Sequence, residues 1–146
     1  MSKRFTLTQA QSLIPTLDPL LRKAIEWKGH YAAADRALQA FNHRIVVAGG
    51  VLVNREQAVA VKDKRKSAAE RLNDLISEMQ EYGCVIKDLD IGLVDFPTLF
   101  RGREVYLCWR LGEPAIAFWH GTDEGFAGRK AIDQDFRDHH RGDRAQ

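Results

Sequence analysis

An α+β fold, with a long antiparallel helical hairpin packed on a small antiparallel β-sheet of three to four strands, is what this amino-acid sequence predicts. Three observations carry that reading. An apolar seam with alternating three- and four-residue spacing runs from Leu13 to Ile45, and a second runs from Ala58 to Tyr82. Helical periodicity stops at Gly83, and short segments rich in β-branched and aromatic residues follow between turn signals. The 146 residues are 45% hydrophobic and 29% charged, a composition that suits one globular domain with a real core.

The first seam comprises Leu13, Leu17, Leu20, Ala24, Trp27, Tyr31, Ala34, Leu38, Phe41 and Ile45, all apolar. A 3.5-residue spacing is what a helix shows when it packs along its whole length on another helix. Asp18 followed by Pro19 reads as the start of the continuous part, the carboxylate capping free amides and the proline taking the first helical position. Residues from Thr6 onward read as a shorter helix interrupted near Pro15. The second seam is Ala58, Val61, Arg65, Ala68, Leu72, Leu75, Met79 and Tyr82, in which the Arg65 stem can cover apolar surface. Asn54 with Gln57 is its start signal and Gly83 its left-handed stop. Each helix would be about 40 Å long, roughly twice a typical strand, and that excess length predicts a homodimer through the helices.

Composition narrows the function classes. The formal charge is +2. Thirteen Lys or Arg stand against nine Asp or Glu up to Gly83, and nine against eleven after it, a contrast too small to call for a nucleic-acid partner. The run Lys62-Asp63-Lys64-Arg65-Lys66 reads as a solvated helix face. No apolar run approaches the roughly 20 residues of a membrane span, so a cytoplasmic protein with no membrane partner is expected. Cys84 and Cys108 are too few for a disulfide framework and are expected as buried free thiols. Gly49-Gly50 between the helices lacks the Lys-Ser or Lys-Thr ending of a phosphate loop and reads as a tight connection.

In the β-rich part, residues 84–120, the expected strands are Cys84–Lys87, Leu93–Phe96, Arg103–Trp109 and Ala115–His120. Pro97 and Arg101-Gly102 break the chain between the second and third. Gly112-Glu113 has the pattern of a type II′ hairpin turn, glycine at its first central position. That turn pairs Trp109 with Ile116, Leu107 with Phe118 and Val105 with His120, and side chains alternate between faces. The face packed on the helices is then Val105, Leu107, Trp109, Ile116, Phe118 and His120. The other face carries Glu104, Tyr106, Cys108 and Arg110 opposite Trp119.

Three candidate sites follow. The mixed face of Glu104, Tyr106, Cys108, Arg110 and Trp119, together with Arg129 from the Gly125–Lys130 loop, is the candidate surface for an unknown protein or small-molecule partner. Cys108 and His120 are the residue types of a zinc site or a thiol–imidazole dyad, but the two-residue turn puts them on opposite faces; a three-residue loop would unite them. Asp88, Asp90 and Asp95, with Glu113 and His120, form a second candidate set. Carboxylates at turns can hold a hard divalent cation, although aspartates also stabilise turns by local hydrogen bonds. Residues 121–132 are expected as a loop and 133–146 as a mobile charged tail, leaving residues 1–132 as one α+β domain with helices over 6–83.

The blocks Lys87–Pro97, Gly102–Trp109, Gly112-Glu113, Phe118–His120 and Gly125–Arg129, with the opening Phe5-Thr6-Leu7, resemble a bacterial family catalogued as domain of unknown function 2203. The resemblance runs from about Phe5 to Arg129. It implies a cytoplasmic bacterial protein and supplies neither an activity nor a catalytic residue. The residues themselves favour a noncatalytic binding or assembly module that self-associates through its hairpin and needs no cofactor. The alternative is a metal-binding protein or metal-dependent hydrolase using the Asp88, Asp90 and Asp95 carboxylates and a divalent metal.

Overall fold

The computed structural model describes residues 3–47 and 55–143. The expected Gly49-Gly50 connection and the Asn54 start signal lie outside them. The chain divides into two compact units, Met1–Leu21 with Ile76–Gln146, and Arg22–Leu75.

Helix α1 spans Leu7–Val47 and runs through both Pro15 and Pro19, so the interruption expected near Pro15 does not occur. Ala10, Ile14, Leu17 and Leu21 are buried along one face, and that burial outweighs two missing amide donors. Its start is a reciprocal capping box at Thr6 and Gln9. The Gln9 amide donates to Thr6 Oγ1 at 3.1 Å, and the Thr6 amide donates to Gln9 Oε1 at 2.9 Å. Helix α2 spans Arg55–Glu81 and ends as expected at Gly83, whose φ of +99° is a conformation glycine adopts without steric cost.

In the unit Arg22–Leu75 the seam closes on itself. Ala24, Ala34, Leu38 and Phe41 of α1 are buried, as are Ala68 and Leu75 of α2. Arg65, the polar member of its seam, pairs with Asp35 across the hairpin at 2.9 Å, and Arg71 lies over the Trp27 ring. Lys62, Asp63, Lys64 and Lys66 are exposed.

Among the described residues the other unit holds a six-stranded antiparallel sheet, larger than expected. Its strands are β1 (Val85–Asp88), β2 (Leu93–Phe100), β3 (Arg103–Arg110), β4 (Phe118–Gly121), β5 (Lys130–Ala131) and β6 (His140–Arg141). The order is β1-β2-β3-β4-β5, with β6 on β2. Arg101-Gly102 makes the two-residue β2–β3 hairpin with φ of +52° and +78°, the left-handed pair a type I′ turn requires. One sheet face carries Val94, Phe96, Leu107 and Trp109, all buried. Phe5 meets Phe96 edge to face, and the Phe5 amide donates to Pro97 O at 2.7 Å.

Residues 133–143, expected within a mobile tail, form helix α3 (Gln134–His139) and strand β6. An aromatic side chain among the charges explains why: Phe136 is 1% exposed and stacks on Phe100, Trp119 and His140. His140 joins this segment to α1. Its Nε2 accepts from the Leu7 amide at 2.9 Å, while Nδ1 donates to the Phe136 and Arg137 carbonyls.

Candidate metal centre

The β3–β4 register decides what the site contains. The observed pairs are Val105↔Gly121, Tyr106↔His120, Leu107↔Trp119 and Cys108↔Phe118, one residue off the expected register, so every β4 side chain changes face. The cause lies in the turn. The Glu113 amide donates to Arg110 O at 3.0 Å with Gly112 at φ +98°, which places glycine at the third residue of the turn, as in type II, rather than at the second. Pro114 has no amide to give a ladder, and the Ile116 amide donates instead to Gln11 Oε1 of α1 at 2.8 Å. Residues 115–117 therefore stay outside the strand. Trp119 leaves the expected ligand face and lines a cleft of about 640 Å³ with Phe100, Arg103, Glu104 and Lys130. His120 and Phe118 leave the expected core face.

His120 consequently sits on the same sheet face as Cys108 and Tyr106. Asp95 of β2 lies directly opposite Cys108 of β3, which completes a cluster. Asp95, Cys108 and His120 are each at most 1% exposed, and each presents a ligand atom within 4.8 Å of the other two. His120 Nε2 lies 3.0 Å from Asp95 Oδ1, and Nδ1 lies 2.8 Å from Gly121 O. A carbonyl oxygen only accepts, so Nδ1 carries the proton and Nε2 is the nitrogen presented to the cluster. Metal-ligating histidines are oriented in this way by a backbone carbonyl behind the ring.

The loop that holds Gly121 is itself tied down. Glu124 Oε1 accepts from the Gly121 amide at 3.1 Å and from Lys130 Nζ at 2.6 Å. Those bonds, Lys130 first, hold the Glu124 carboxyl below the ordinary carboxylate range. The Tyr106 ring packs beside the His120 ring at 5.5 Å. Burial pushes the Cys108 thiol up to about 12; Asp95 adds to the rise and Arg129 opposes it. Without an ion the thiol is thus protonated and inert as a nucleophile.

Arg129 closes one side. Its Nη2 donates to Glu113 Oε1 at 2.6 Å and to Cys108 O at 3.3 Å. The guanidinium lies over Phe118 at 4.1 Å and Phe126 at 4.9 Å. Glu113 therefore anchors Arg129 and is not part of the ligand cluster. Asp88 and Asp90 stand apart too: Asp88, exposed at the end of β1, accepts at Oδ1 from the amide of Asp90, exposed in the following turn, at 2.9 Å, the turn-stabilising role aspartate also has. Of the five residues in the expected metal set, the structure brings together Asp95 and His120, and it adds Cys108. Glu104 and Arg110 are exposed. The contribution of Gly121, a backbone carbonyl, leaves no side-chain signal in a sequence.

The sequence model of a family described as uncharacterized conserved protein (DUF2203) matches residues 3–132. The chain belongs to that family. All three cluster residues, and Arg129 and Glu113 with them, fall within the DUF2203 match, whereas α3 and β6 lie beyond it. No curated protein and no solved structure matches the chain.

Proposed function

We propose that this DUF2203 chain is a noncatalytic metal-binding module that holds one divalent transition-metal ion, of the zinc class, between Asp95, Cys108 and His120. One observation carries the reading: a carboxylate, a thiol and an imidazole nitrogen converge within 4.8 Å, with the other imidazole nitrogen committed to Gly121 O. Mixed N, S and O donors suit zinc or a neighbouring first-row metal better than Mg²⁺ or Ca²⁺. Their burial favours holding an ion over processing a large substrate. Binding would displace the thiol proton, so uptake is expected to release protons and to weaken on acidification. Elemental analysis of the purified untagged chain tests this. About one ion per chain, lost in Cys108→Ser and His120→Ala, is the expected result, and less than about 0.1 ion per chain after incubation with zinc removes the proposal.

Self-association through the hairpin is a separate proposal, supported by Val59, which is 56% exposed on α2. Light scattering at micromolar concentration decides it. A dimer that Val59→Lys splits supports it, and a monomer refutes it.

A further inference from the structure

We infer that the ion held by Asp95, Cys108 and His120 takes a small carboxylate anion, of formate or acetate size, as its fourth ligand, and that Arg129 grips that anion from the far side. The inference rests on the metal-binding reading and extends it to a ligand class. Zinc-class ions in proteins take four ligands as a rule, and among the described residues the cluster supplies three. Arg129 points to the fourth. Its Nε is buried without a hydrogen-bond partner, although Nη2 is doubly engaged with Glu113 and Cys108 O. A buried N–H without an acceptor is costly, and here it belongs to a guanidinium held in place by Glu113 and by stacking on Phe118 and Phe126.

Charge gives the second argument. The Arg129 guanidinium is held at the Cys108 backbone, its Nη2 donating to Cys108 O at 3.3 Å, so an ion bound through that residue would have a fixed guanidinium as neighbour. Glu113 pairs with Arg129 through Nη2, while Nε keeps an N–H without an acceptor, which an anion drawn to the ion can take. A carboxylate suits both partners, with one oxygen on the ion and the other accepting from the planar guanidinium fork. Burial sets the size class: the three ligand residues are at most 1% exposed, which favours an anion of a few atoms over a larger carboxylate.

The test uses the full chain loaded with Co²⁺, whose visible spectrum reports its coordination, titrated with sodium formate, sodium acetate or sodium chloride at constant ionic strength. A saturable spectral change with formate or acetate is expected, and Arg129→Gln should weaken it at least about tenfold while elemental analysis still finds one Co²⁺ per chain. If Arg129→Gln fails to fold, Arg129→Lys carries the same test, since it keeps the charge and loses the fork. A loaded chain whose spectrum ignores formate and acetate, responds equally to chloride, or binds as well in the Arg129 variant overturns this inference alone. A chain that takes up neither Co²⁺ nor Zn²⁺ overturns the metal-binding reading and this inference together.

Discussion

Cys108 shows how burial changes the chemistry of one residue. Its thiol is pushed up to about 12 from 9.0, so the folded chain keeps a proton that the unfolded chain releases at lower pH. The sign follows from linkage. The contribution is fully present below the unfolded value, near 9, and is lost as pH rises from there through about 12. Cys84, raised to about 11 chiefly by burial, acts in the same direction. The metal-free chain should therefore become easier to unfold by urea above pH 9, and Cys108→Ala should flatten that slope. The two thiols should also resist a thiol-labelling reagent at pH 8 until the chain is unfolded. Asp95 makes the complementary case: Asp95→Ala leaves the buried His120 ring without its partner, and a loss of about 1–3 kcal/mol is expected in a urea titration.

Among the elements, the β3–β4 connection and the segment after residue 132 are where expectation and structure part. The alternation of β3 was legible, and Val105, Leu107 and Trp109 do share a face. The partner strand slipped by one residue because Gly112 serves a different turn position and Gln11, 105 residues away in the chain, takes the Ile116 amide. A local turn rule contains no information about a helix that arrives from the N-terminus. The terminal segment misled for a related reason. One aromatic among charges reads as solvated, yet Phe136 enters an aromatic stack. Phe136→Ala should cost about 3–5 kcal/mol, measured as a fall in midpoint denaturant. Gly142 is clamped as closely: a Cβ there would stand 2.6 Å from Phe5 C and Thr6 N. Gly142→Ala should therefore cost about 1–3 kcal/mol and raise amide exchange at Leu7, whose N–H bonds to His140.

For the molecule as a whole, the two units ask different things of the sequence. Arg22–Leu75 buries its seam by periodic contacts between helices, and the described part of the hairpin could be read directly from spacing, because residues three and four apart must share a helix face whatever surrounds them. The sheet unit depends on pairings between distant segments. Removal of residues 133–146 should lower its melting temperature, since the deletion takes away β6, α3 and the acceptor for the Leu7 amide; an unchanged melting curve would mean that the segment contributes nothing to stability.

By itself the sequence determined the α+β class, the helical seams, the Gly83 stop, the strand character of residues 85–87, 93–96 and 103–109, and the family. Each of these follows from local period, turn chemistry or motif order. Only the tertiary structure decided that Cys108 and His120 share a face with Asp95, that Asp88 and Asp90 stay outside the cluster, and that Arg129 leans on Glu113. The physical reason is register. A shift of one residue in one strand pair leaves composition, period and strand count unchanged, yet it moves His120 from a hydrophobic face into the cluster where an ion could be held.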